Sequence, residues 1–127
     1  MSRIKSKDSA PEIKTRMFLR DRKVRYRKHV SVLPGTPDIV VDKLKTVVQV
    51  QGCFWHHHEG CKRAKYPRTH VKFWRDKIDG NIFRDKINID LLQISGWNVI
   101  EVWECEINKK RMPKKMYNLV KTYHGQN

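Results

Sequence analysis

The segment Cys53-Phe54-Trp55-His56-His57-His58-Glu59-Gly60-Cys61 brings two thiols and three imidazoles within nine residues, beside two adjacent large aromatics. Thiolate and imidazole are donors that suit Zn²⁺, and four of them in tetrahedral array close a structural site. The segment can supply three, and the only other cysteine, Cys105, supplies a fourth. A Cys3His zinc site built from Cys53, Cys61, Cys105 and one histidine would tie the loop to a distant strand end. Free cysteines beside surface histidines would not explain why both loop cysteines flank a histidine run. Spacing alone does not separate His56, His57 and His58.

A second candidate is Asp38, which follows Pro37 at the head of an apolar run. An aspartate at a sheet edge can hold Mg²⁺ where a nuclease metal must reach a phosphate. Pro-Asp is also an ordinary turn. Many Mg²⁺ nucleases place an acid-x-lysine on the next strand, but here that strand ends Gln49-Val50-Gln51. A general base must then come from elsewhere, and a loop histidine that zinc does not use is the nearest. Two aromatic pairs, Phe54-Trp55 and Phe73-Trp74, lie among basic residues. Phe73-Trp74 suits a helix start packed on a core. Phe54-Trp55 suits an apolar wedge of the kind that unstacks and kinks a duplex.

The charge balance says what such a wedge would meet. The 127 residues carry 28 Lys plus Arg against 13 Asp plus Glu, a formal net charge of +15. That excess repels itself in a compact chain and is best tolerated beside a polyanion, so nucleic acid is the expected partner. The basic residues are spread along the chain rather than gathered on one amphipathic helix, which disfavours a membrane-surface role. No apolar run approaches the roughly 20 residues needed to span a bilayer, and the first residues lack the apolar centre of a signal peptide. Three cysteines with a metal to hold fit reduced thiols in the cytoplasm.

Positioning these groups requires a small α/β domain over residues 1–127, with residues 1–10 as an arm and 108–127 as a basic tail. Pro11-Glu12 reads as a helix start, and Ile13, Met17 and Val24 predict an amphipathic helix to about Tyr26. Leu33-Pro34-Gly35-Thr36-Pro37 is a turn. Residues 38–41 and 46–50 predict a hairpin. After Pro67, Phe73, Ile78, Ile82 and Ile89, with Phe83, Ile87, Leu91 and Ile94, mark a long helix closed by Gly96. Trp97 to Trp103 alternates as a strand that delivers Glu104-Cys105, and Tyr117, Leu119 and Val120 suggest a last helix. The order α-β-β-loop-α-β-α implies a mixed central sheet flanked by helices.

Pro-Gly-x-Pro-Asp (Pro34 to Asp38), Gly-Cys-Phe-Trp-His (Gly52 to His56), Phe-Trp-x-x-Lys-Ile-x-x-Asn (Phe73 to Asn81), Arg84-Asp85, Gly96-Trp97 and Val102-Trp103-Glu104-Cys105 stand in one collinear order. Together with Ser6-Lys7-Asp8 and Pro11-Glu12, they make the chain resemble the very-short-patch-repair (Vsr-type) DNA mismatch endonucleases. The resemblance implies a fold like that of type II restriction endonucleases, and nicking of one strand 5′ to the thymine of a T:G mismatch in double-stranded DNA. It implies catalytic Mg²⁺ on Asp38 and the Val50 carbonyl, His56 as general base, and Glu12 orienting that imidazole. Structural Zn²⁺ would fall to Cys53, His58, Cys61 and Cys105, while Phe54, Trp55 and Trp74 would enter the duplex. A monomer in the cytoplasm of a prokaryote or phage host is the matching expectation, with a repair or methyltransferase partner not readable.

The chain departs from that pattern in two places. Two residues, Glu59 and Gly60, separate His58 from Cys61 where one is expected. Val50-Gln51 stands where Thr-His precedes Gly-Cys, so a histidine able to touch metal-bound water is gone, although a carbonyl ligand survives. A Vsr-like homing or restriction-associated nuclease acting on matched DNA and a catalytically inactive zinc-stabilised DNA-binding module are the competing readings.

Overall fold

The computed structural model describes residues 9–54, 56, 58–107 and 111–125. Trp55, His57 and most of the arm lie outside these described residues. Helix α1 (Ala10–Asp21) opens with Pro11 in its first turn and Glu12 beside its positive end, as the sequence suggests. It stops five residues before Tyr26, because Lys23 takes a left-handed φ of 59°. The inward face is not the Ile13-Met17 stripe, which is exposed; it carries Glu12, Thr15, Phe18 and Leu19.

A short strand that the sequence did not announce, β1 (Arg27–Lys28), pairs antiparallel with β2 (Ile39–Val41). Both of its side chains are exposed and charged, so no apolar alternation marks it. The expected hairpin joins β2 antiparallel to β3 (Thr46–Gln51) through a 3-10 turn at Asp42–Leu44. The chain then crosses through the Cys/His loop and α2 (Val71–Ile94) to β4 (Asn98–Trp103), which lies parallel to β3. The sheet order is β1-β2-β3-β4, a mixed sheet in an α/β fold.

Alternation along the strands sorts the core onto two faces. Ile39, Val41, Val48 and Val102 pack with Phe18 and Leu19 of α1 and with Met116, Leu119 and Tyr123 of α3 (Lys114–Gly125). Val40 and Val47 pack on the other face with Leu92 of α2. All three residues of β2 are therefore buried. The basic tail is thus largely a docked helix.

On α2 the inward positions are Ile78, Asn81, Asp85, Asn88 and Leu92, spaced three and four apart. Phe83, Ile87, Leu91 and Ile94 face outward, with Ile94 82% exposed. The helix ends as a Schellman turn. The Trp97 N–H donates to the Leu92 carbonyl (2.9 Å) and the Gly96 N–H to the Gln93 carbonyl (3.0 Å), with Gly96 at φ 93°.

Gly35 sets the approach of the Pro34–Pro37 turn to α2. Its φ is 76°, and a Cβ placed on it would lie 2.9 Å from the Asn88 side-chain nitrogen. Gly35→Ala should therefore lower stability by more than about 1 kcal/mol, through left-handed strain and displacement of Asn88. Chemical denaturation of the variant beside the parent checks this, and an unchanged midpoint would refute the tight approach.

Candidate active site and metal centre

A cavity of about 550 Å³ opens where the C-terminal end of β3, the head of β2, the start of α1 and the middle of α2 meet. Glu12, His29, Asp38, Val50, Phe54, His56, Asp85 and Asn88 are among the residues that line it. Asp38 reaches it because the turn before β2 delivers it opposite Gln49 in the register, where the N–H of the next residue, Val50, donates to Asp38 Oδ2 at 2.8 Å. The Asp38 N–H points at Gln49 Oε1, 3.4 Å away. Burial pushes the Asp38 carboxyl up to about 6, and the Glu12 carboxylate pushes the same way. The Val50 N–H and the imidazoles of His29 and His56 oppose that rise.

Glu12 and His56 line the same cavity but have different partners. The Glu12 carboxylate is hydrogen-bonded to His29 Nε2 and to Arg16 Nη1. His56 Nδ1 is held instead by Asp85 Oδ2. The orienting carboxylate expected from Glu12 is thus supplied from α2. The sequence did carry a signal for Asp85, since Asn81, Asp85 and Asn88 are polar residues on the helix stripe between Ile78 and Leu92. His29 had none until β1 was recognised. A carboxylate on Nδ1 fixes the proton there and turns the Nε2 lone pair outward as a base.

The loop after β3 folds as a tight knuckle. The His56 N–H donates to the Gly52 carbonyl (3.1 Å), the His58 N–H to the Cys53 carbonyl (2.9 Å) and the Cys61 N–H to the His58 carbonyl (3.2 Å). The Cys53 N–H is fixed to Glu104 Oε1 at 3.2 Å, beyond the end of β4. Cys53, His58, Cys61 and Cys105 converge, all four donor atoms lying within 4.8 Å of one another. His58 Nδ1 is 3.6 Å from Cys53 Sγ and 3.3 Å from Cys105 Sγ. A tetrahedral ion bound at about 2.3 Å to sulfur and 2.0–2.1 Å to nitrogen requires an edge of about 3.5 Å, so the donor set fits a metal. Of the described histidines, His58 joins these thiols. Its ring stacks on Trp103 at 4.1 Å and 5°, while His56 meets the same indole edge-on at 6.4 Å. Burial pushes the Cys53 thiol up to about 12, so its thiolate needs a cation to persist. The backbone N–H of Arg63 pulls Cys61 the other way.

Phe54 packs edge-to-face on Trp74 at 5.7 Å, and Trp74 in turn on Phe73 at 5.2 Å. The knuckle and the start of α2 therefore share an aromatic wall beside the cavity. Among the described residues, no helix is long and apolar enough to cross a membrane.

A family model described as DNA mismatch endonuclease Vsr matches residues 1–63. The chain is 42% identical over 118 residues to the type II nicking enzyme V.NmeAIP of Neisseria meningitidis serogroup A, covering 93% of this chain and 84% of that protein. It is 41% identical over 107 residues to the DNA mismatch endonuclease Vsr of Escherichia coli, covering 84% and 68% respectively. With the type II nicking enzyme V.XorIIP of Xanthomonas oryzae it shares 40% over 108 residues, covering 85% and 79%.

Two outcomes follow from the geometry. Cys53→Ser removes a buried ligand, so the variant should lose its tightly held ion and unfold far more easily, because ion binding is part of folding free energy. Elemental analysis with thermal melts tests this, and a metal-free variant with the parent's melting temperature would refute the site.

The raised Asp38 carboxyl has an opposite consequence. A carboxyl raised in the fold contributes stability below its unfolded value, and that contribution is lost as pH rises from about 4 through 6. Without added divalent ion, Asp38→Asn should match the parent near pH 4 and exceed it at pH 7.5 by about 2–3 kcal/mol. Denaturant titrations at both pH values decide it, and equal gains at both would remove the electrostatic cause.

Proposed function

This chain belongs to the Vsr family of DNA mismatch endonucleases, and we propose that it is the Mg²⁺-dependent nickase of very short patch mismatch repair. Its substrate is double-stranded DNA, cut on one strand 5′ to the thymine of a T:G mismatch. The observation that carries this reading is the pairing of His56 with Asp85 inside the cavity that Asp38 lines. Asp38 and the Val50 carbonyl would hold Mg²⁺, which supplies positive charge against the charge developing on the phosphate. Asp85 would keep the His56 Nδ1 proton in place, so that Nε2 takes the proton of the attacking water as the new O–P bond forms, while the P–O ester bond to the departing strand end breaks and its oxygen takes a proton from solvent. Glu12 would act on the Asp38 side of the cavity, where its carboxylate holds His29 rather than His56.

Zn²⁺ is the ion proposed for Cys53, His58, Cys61 and Cys105, since a closed Cys3His set is structural chemistry. Phe54 and Trp74, with Trp55 beyond the described residues, would enter the stack beside the mismatch. The net charge of +15 supplies the phosphate attraction. In this reading the enzyme acts as a monomer in the cytoplasm of a prokaryote or of a phage host.

The test compares a labelled T:G duplex with its matched C:G control in the presence of Mg²⁺. The parent should nick only the mismatched strand. Asp38→Ala should abolish nicking yet retain DNA binding, and His56→Ala should lower the rate by about 10²–10⁴-fold. Trp55→Ala should lose mismatch preference by about 1–3 kcal/mol, the scale of a base–aromatic stack. Equal nicking of matched DNA would make the chain a matched-site nuclease, and no nicking by the parent would reduce it to a binding module.

A further inference from the structure

We infer that His29 is a direct metal ligand, its Nε2 joining the carboxylates of Glu12 and Asp38 in a three-donor site that favours first-row transition-metal dications, Mn²⁺ being the usable probe, over Mg²⁺. This rests on the metal-dependent reading above and adds to Asp38 the Glu12 carboxylate and a nitrogen donor.

The donor atoms of Glu12, His29 and Asp38 all lie within 4.8 Å of one another. They come from three separate elements, which makes the convergence a property of the fold. Arg27 pairs with Val40 and Lys28 with Ile39, so His29 stands opposite Asp38 in the next register position. Its N–H donates to the Asp38 carbonyl at 3.1 Å. Directly opposed residues of an antiparallel pair present their side chains to one face. His29 then leaves the strand at a left-handed φ of 50°. Its side chain is 11% exposed and that of Glu12 5%, so both face the cavity rather than bulk water.

Two carboxylates brought together at such a site disfavour each other's ionised form unless a cation lies between them. Arg16 offsets part of this from the α1 side through Glu12. The His29–Glu12 hydrogen bond uses the atoms that a dication would take over, with the shared proton released to solvent. Mg²⁺ prefers an octahedron of oxygens and retains its waters, whereas first-row transition dications accept an imidazole nitrogen more readily, Mn²⁺ least among them. A set of two carboxylates and one imidazole therefore discriminates between them. The Cys3His group is a separate site of softer donors, with no residue in common.

The experiment adds Mn²⁺ alone to the full chain carrying its Cys3His ion and reads ¹⁴N coupling to Mn²⁺ by pulsed electron paramagnetic resonance. Mn²⁺ and Mg²⁺ affinities are measured by titration and by competition. The parent should show imidazole nitrogen coupling. His29→Gln, which keeps a polar group near Glu12 but no imidazole, should lose it. Mn²⁺ affinity should fall at least ~10-fold in that variant, with a smaller loss for Mg²⁺. His56→Ala should retain the coupling.

Absence of nitrogen coupling in the parent overturns the inference, as does its persistence in His29→Gln. Equal losses of Mn²⁺ and Mg²⁺ affinity would make His29 a positioning residue for Glu12. The two readings fail separately. Coupling through His29 without nicking of T:G DNA removes the proposed function and leaves the ligand, whereas Mg²⁺-supported nicking without the coupling does the reverse.

Discussion

The register of β2 between β1 and β3 is the constraint on which the site depends. It sets Ile39 opposite Val48 and Lys28 opposite Ile39, and so carries Asp38 to the open end of the sheet between His29 and Gln49. A slip of one residue would turn every side chain of β2 to the other face. Asp38 would then point away from the cavity, and Ile39 and Val40 would exchange the two halves of the core. Because β2 is buried on both faces, hydrophobic packing defends a placement whose purpose is polar. The residue that costs electrostatic free energy is held by neighbours that do not share its chemistry.

The other half of the site is held by different means. His56 lies in a knuckle with little regular structure, and its position comes from three directions. Backbone hydrogen bonds close the knuckle, the Asp85 carboxylate takes Nδ1, and Trp103 backs His56 on one edge while stacking on His58. The same indole thus serves the proposed base and the metal-centre histidine. A loose Cys3His group would disturb the base through this shared wall before it disturbed Asp38.

Much of this was legible in the residues. The Cys/His run with Cys105 announced a four-donor group, the turn before Asp38 announced a strand head, and the long helix ended where Gly96 required. The readings that differed share one cause. On α1 and α2 the inward stripes contain the buried polar residues Thr15 and Asn81 and the cavity-lining Glu12, Asp85 and Asn88, while Ile13, Met17, Phe83 and Ile87 face out. Apart from Ile78, apolar periodicity therefore pointed largely to the outer faces of both helices, because a polar cavity reverses the usual sorting along its walls. Strand β1 was hidden for a related reason. Its two charged residues carry no alternation, and His29 becomes meaningful only once that strand pairs with β2.

The Cys3His group has a kinetic consequence. Cys53 leaves β3 and Cys105 follows β4, so these ligands bracket the whole crossover through α2. Closing a flexible loop of roughly 50 residues costs about 3.5 kcal/mol of chain entropy, and that closure must precede any coordination joining its two ends. Coordination is then an event of the downhill side of folding, completed after β3 and β4 have paired. Interactions formed that late leave the folding rate nearly untouched and act on the rate of opening. An ion bound there would therefore be a latch on the native state, extending its lifetime without guiding the chain toward it.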